Sequence, residues 1–244
     1  MDNLIGTFVD SFLELLYPEK NICQICGTYD TSIGDCYICN NCLSKLEKIN
    51  EPFCKICNKS LAHNPNLEIC EECIKSPRSF EISKSPYRYK GSVKKLIHDY
   101  KYCNKPFYYK LFGNLLVQYM KENSYIYFDY IISVPLHKIK LRKRGFNQSK
   151  LIAKYIQKNL SIPYIDALKR VNNTEKQSNL SKYNRQNNLK NAFIIKNKKV
   201  ASFIKDKNIL IIDDIFTTGA TINECSKVLK SSGANKIYAL TISR

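Results

Sequence analysis

Residues 208–222, NILIIDDIFTTGATI, set an unbroken apolar run before two adjacent carboxylates, and then three threonines around a glycine. Ile209 to Ile212 has the length of a strand and lacks the alternation of a half-exposed one, so it reads as a central parallel strand buried on both faces. Asp213 and Asp214 then fall at its carboxyl end. Gly219 permits a turn, and from Thr221 the spacing is helical up to Gly233. In an open α/β sheet ligands sit outside the carboxyl ends of the strands, and a helix start offers unpaired N–H groups to an anion. The Thr217, Thr218, Gly219, Ala220, Thr221 loop is therefore a candidate phosphate cradle. Two neighbouring carboxylates repel phosphate, so they are expected to face vicinal hydroxyls, a divalent metal, or both. A sugar phosphate combines these features.

From Ile209 to Thr221 the stretch resembles the 5-phosphoribosyl-1-pyrophosphate (PRPP) motif of type I phosphoribosyltransferases. It lacks the G-K-[ST] of a nucleotide P-loop and the G-x-G-x-x-G of a dinucleotide fold. The resemblance implies that Asp213 and Asp214 bind the ribose hydroxyls, that Mg²⁺ links them to the pyrophosphate, and that Thr217 to Thr221 hold the 5′-phosphate.

A second pattern lies in the first third of the chain. Cys23-x2-Cys26-x12-Cys39-x2-Cys42 repeats as Cys54-x2-Cys57-x12-Cys70-x2-Cys73, offset by 31 residues. The register selects Cys42 over Cys36 as partner of Cys39, and leaves Cys36, Cys103 and Cys225 outside the sets. Paired C-x2-C knuckles suit tetrahedral thiolate zinc, and four thiolates leave no open position for chemistry, so two structural zinc ions are expected. A disulfide framework would require export. The exact repeat favours sequential sites, although spacing alone also allows a cross-braced pairing; His63 could replace a sulfur, but beside Pro65 it reads as an ordinary loop histidine.

Length and charge divide the same way. The 244 residues are 44% apolar, enough for one ordinary domain and something small. The expected division is an amphipathic helix at 1–18, a double zinc module at 19–78 and an α/β domain at 79–244. The first segment carries Leu4, Ile5, Phe8, Val9, Phe12, Leu15 and Leu16 at helical spacing. It also holds Asp2, Asp10 and Glu14, and is too short and charged for a membrane span or a signal peptide, so a cytoplasmic location is expected. Residues 1–80 hold seven Lys/Arg against eleven Asp/Glu, a net −4, whereas 81–244 hold thirty-two against ten, a net +22. Zinc thiolates make the first part more acidic still, which disfavours a ribbon that grips nucleic acid alone. The basic part suits PRPP and single-stranded DNA.

Tyr130 to Val134 reads as a second buried strand, followed by a loop and a helix from Asn147. Lys138, Lys140, Arg142, Lys143 and Arg144 crowd that connection, and Lys138, Arg142 and Arg144 are candidate pyrophosphate contacts. Residues 170–193, polar and rich in asparagine, suit a flap carrying Gln177 and Arg185.

The string VPLHKIKLRKRGFNQS, the later Gln177, Leu180, Arg185, Asn188 and Phe193, and the doubled knuckles ahead of them together resemble the ComF family, of ComFC type. That resemblance implies a role in natural competence, in handling imported single-stranded DNA, with a helicase as a partner to expect. The alternative is an active phosphoribosyltransferase that passes phosphoribosyl from PRPP to a nitrogen nucleophile. Such an enzyme needs a hood over the ribose C1, and only two residues follow the last predicted strand (236–242). Catalysis therefore does not follow from the motif.

Overall fold

The computed structural model describes residues 21–125, 127–172 and 191–244. The predicted helix at 1–18 and the flap residues Gln177 and Arg185 lie outside these.

Contacts divide the chain into two compact units, residues 1–46 and 47–244. The division falls between the two cysteine quartets. In the first unit, a single 3-10 turn (Gly34–Cys36) precedes the short helix α1 (Asn40–Ser44), which begins directly after Cys39.

The second unit opens with the second knuckle and α2 (Glu71–Lys75). The chain then runs through β1 (Ile82–Lys84), α3 (Gly91–Tyr102), α4 (Tyr108–Glu122), β2 (Tyr130–Ser133), α5 (Lys138–Arg144) and α6 (Gln148–Leu160). It ends with β3 (Leu168–Arg170), β4 (Phe193–Ile195), α7 (Lys198–Ile204), β5 (Ile209–Ile215), α8 (Ala220–Ser231) and β6 (Ile237–Ser243). Four strands form a parallel sheet in the order β1-β6-β5-β2, and β3 pairs with β4 antiparallel. This is the mixed α/β architecture with a parallel sheet, preceded along the chain by two four-cysteine clusters, that the sequence predicts.

Parallel neighbours need crossovers that cover the faces of the sheet, which is why β5 reads as a continuous apolar run. Ile209, Leu210, Ile211 and Ile212 are each 0% exposed. Ile209 and Ile211 join one core cluster with Ile222, Cys225 and Leu229 of α8, while Leu210 and Ile212 point to the opposite face, where α6 packs. On that side α6 also meets α4 closely. Gly113 of α4 lies against the Tyr155 ring, and a Cβ there would overlap the ring.

Candidate functional site

The two quartets form two sites, each with its four sulfurs mutually within 4.8 Å: Cys23, Cys26, Cys39, Cys42 and Cys54, Cys57, Cys70, Cys73. The pairing is thus sequential. Zinc–sulfur bonds of about 2.3 Å in a tetrahedron require sulfurs about 3.8 Å apart. Cys26 and Cys39 stand at 3.8 Å, and Cys57 and Cys70 at 3.6 Å, so the donor sets fit zinc. His63 is exposed and belongs to neither cluster, nor does Cys36.

The acid pair lies near the end of β5, just before its final Ile215, where the pleat sends neighbouring side chains to opposite faces. Asp213 accepts from the Ser149 hydroxyl at the start of α6 (2.9 Å) and from the amide of Asp214 (2.9 Å). Asp214 is held by Lys101 Nζ at 2.7 Å, both side chains being nearly buried. Burial, and next the neighbouring Asp214, push the Asp213 carboxyl up to about 7, against the pull of Lys101, the Asp214 amide and Ser149. The pair therefore carries less than two full charges near neutrality, and one of them is already answered from within the chain.

Beyond the pair the chain turns through Phe216 to Gly219, which has φ +76° and offers no side chain to cap α8. Thr217 is exposed, Thr218 and Thr221 are half-buried, and Gly219 and Ala220 are buried. The Thr218 hydroxyl accepts weakly from the Ala220 amide (3.4 Å). A helix of 12 residues thus begins at a bare, glycine-headed turn lined by threonine hydroxyls, the geometry an anion requires.

The basic connection after β2 differs from expectation: Lys138, Arg142 and Arg144 stand on the helix α5, not in an open loop. The residues are good helix formers, the His137 side chain accepts from the Ile139 amide at the first turn, and Gly145 (φ +77°) ends the last. Lys138 and Arg142 are exposed. Arg144 is tied down, donating to Gln148 Oε1 (3.1 Å) and to the Tyr102 hydroxyl (3.4 Å), and lying over the Tyr102 ring. Gln148 is 1% exposed, and its Nε2 has no partner among the described residues.

Sequence reasoning did not single out Lys101, Gln148 or Ser149 as site residues. Lys101 lies 113 residues from Asp214, and no local pattern signals that meeting. Gln148 and Ser149 belong to the GFNQS string already quoted, and that string was the available signal.

Comparison with known proteins agrees with this anatomy. Residues 12–74 match the double zinc ribbon domain family. Competence protein F of Haemophilus influenzae is 28% identical over 212 residues, 85% of this chain and 90% of that protein. Competence protein ComFC of Bacillus subtilis is 28% identical over 217 residues, 85% of this chain and 84% of its own length. The likeness to the ComF family holds along nearly the whole chain. DNA utilization protein YhgH of Escherichia coli K12 is 27% identical over 228 residues, 91% of this chain and 96% of that protein. Among solved structures, the allosteric regulatory enzyme of purine biosynthesis aligns with a TM-score of 0.38 and 16% identity, over 59% of this chain and 29% of that one. A purine phosphoribosyltransferase from Pyrococcus horikoshii aligns with a TM-score of 0.31 and 19% identity, over 52% and 67%. No described helix is long and apolar enough to cross a membrane.

Proposed function

We propose that the protein acts in natural competence, handling imported single-stranded DNA, and that the end of β5 is its pocket for PRPP or a related phosphoribosyl ligand. One observation carries the ligand assignment: the acid pair Asp213–Asp214 and the uncapped start of α8 lie within one strand-to-helix turn, which suits hydroxyls and a phosphate of the same molecule. The names of the relatives, Competence protein F, ComFC and DNA utilization protein YhgH, support the cellular role. Lys101 offsets the charge of Asp214 and Ser149 orients Asp213, so the pair presents oxygens without full repulsion of an anion. Arg144, held over Tyr102 and bonded to Gln148, the neighbour of Ser149, supplies a positive group suited to a pyrophosphate. Mg²⁺, with Asp213 and Asp214 as its protein oxygen donors, would neutralise the pyrophosphate charge.

Isothermal titration with PRPP, with and without Mg²⁺, tests the pocket, and a deletion strain scored for transformation tests the role. Saturable binding without pyrophosphate release in the presence of amines is the expected result. Pyrophosphate release would make the protein a transferase instead, and no binding at millimolar PRPP would remove the ligand assignment.

A further inference from the structure

The second four-cysteine cluster is linked to the turn before α8 through Arg244, Phe80 and Phe216. Three consecutive residues of the knuckle are engaged outside it: Ile56 O accepts from the Ser83 amide (2.7 Å), Cys57 O accepts from the Arg244 guanidinium, and Asn58 Oδ1 accepts from the Ser85 amide (2.7 Å). The Arg244 guanidinium carbon lies over the Phe216 ring, 4.6 Å from its centroid. Phe216, 1% exposed, fills the space directly under Gly219, where any Cβ would strike its ring. A second route leaves the other half of the quartet. Just after Cys73, the Ser79 amide donates to Asn223 Oδ1 in the first turn of α8 (2.8 Å), and Phe80 meets Phe216 edge-on at 6.0 Å. Cys54, Cys57, Cys70, Cys73, Phe80, Phe216, Ile222 and Cys225 share one buried cluster.

We propose that the second cluster, through Arg244 and Phe80, positions the phosphate loop from beneath, so that metal occupancy there sets the pocket's affinity for a phosphorylated ligand. The cause is geometric. Four sulfurs around one ion hold the Cys57 carbonyl and the 70–80 turn in place. Without the ion these are free to move, and Arg244 and Phe80 no longer clamp the ring that supports Gly219. Packed interiors transmit such a displacement because they have no slack to absorb it. Arg244, Phe80 and Phe216 are positioning residues. The proposal rests on the reading of the loop as a phosphate site for its affinity consequence only.

The test compares the full-length protein with Arg244→Gln, Cys57→Ser and the double variant, by zinc content, hydrogen exchange of residues 216–223, and PRPP titration. Arg244→Gln is expected to keep two zinc ions yet raise exchange in 216–223 by about tenfold and weaken PRPP by a similar factor. Cys57→Ser is expected to retain one ion and raise exchange at 216–223 by at least as much, and Arg244→Gln added to it to change little more, since both act along one route. Unchanged exchange at 216–223 in Arg244→Gln with two ions bound overturns the proposal. That variant decides the matter if Cys57→Ser does not fold. Raised exchange in a protein whose wild type ignores PRPP leaves the coupling standing and removes the ligand reading alone.

Discussion

The two zinc knuckles are copies in backbone and opposites in setting. Ile22 bridges Tyr29 as Phe53 bridges Ser60, each pair 31 residues from its counterpart. Cys23 N donates to Thr28 O as Cys54 N does to Lys59 O, and Gln24 N to Tyr37 O as Lys55 N does to Glu68 O. Both knuckles turn through a left-handed residue at the same place, Gly27 in the first and Asn58 in the second. There the likeness stops. Gly27 has no side chain, whereas Asn58 is 2% exposed and caps the end of β1 at Ser85. Cys26 is exposed, while all four sulfur ligands of the second site are buried beside strand and helix residues. Identical metal chemistry thus serves as the staple of a small unit in one place and as part of the core of a larger one in the other.

Breaking the second staple is therefore expected to have the largest effect. Structural zinc is worth on the order of 10 kcal/mol in small domains. Cys73→Ser, by exposing a buried site to loss of its ion, is expected to lower the melting temperature of the 47–244 unit by roughly 20–40 °C, at about 2–4 °C per kcal/mol. Cys26→Ser is expected to release one zinc and leave that transition where it was. Calorimetry with elemental analysis decides between them, and equal shifts from both variants would erase the distinction drawn above.

Ligand binding sharpens the contrast next. Asp213→Asn with Asp214→Asn is expected to weaken Mg²⁺-dependent PRPP binding by about 100-fold or more, because hydrogen bonds to charged groups contribute roughly 1.5–3 kcal/mol each. Cys26→Ser, tested in the same titration, is expected to bind as wild type does. Gly219→Val is expected to cost about 2–4 kcal/mol, combining a strained positive φ with overlap on Phe216. Its effect should appear both in chemical denaturation and in PRPP titration.

A smaller, diagnostic effect follows from pH. The Asp213 carboxyl, raised from 3.8 to about 7, binds its proton more tightly folded than unfolded. The stability it contributes is therefore present at low pH and lost as pH climbs from about 4 through about 7. Affinity for Mg²⁺ with PRPP moves the other way, rising as the carboxylate forms. Asp213→Asn should flatten both curves in stability and titration measurements across pH 5 to 8, and a wild-type profile that matches the variant would sink this assignment.

The basic helix offers the gentlest test. If the surface of the +22 region contacts single-stranded DNA, the log–log salt slope is about −0.7 per phosphate neutralised. Replacing Lys138, Lys140, Arg142 and Arg144 with Gln is expected to flatten it by about 2 to 3. A slope that stays put while PRPP binding falls would confine the helix to the pocket.

Short-range pattern carried much of this protein's organisation. Spacing of two and twelve residues names all eight metal ligands, because knuckle geometry is local. Four apolar residues before two aspartates mark a central strand, because only a strand covered on both faces has no polar side to show. The turn at Gly219 and the helix after it follow from glycine's freedom at positive φ. Charge density alone suggested a loop at 138–144 where a capped helix stands, since lysine and arginine satisfy both and the cap decides.

Other features arise only where distant segments meet. Lys101 neutralises Asp214 because α3 ends beside β5, and the pairing has no signature within either segment. The lifted Asp213 carboxyl exists only once the fold has removed it from water and set it beside a second acid. Two quartets indistinguishable as strings of cysteine came to differ because one packs against β1, Arg244 and Phe216. Ligand choice depends on neighbours a few residues away along the chain, whereas burial and coupling depend on neighbours brought near by the sheet.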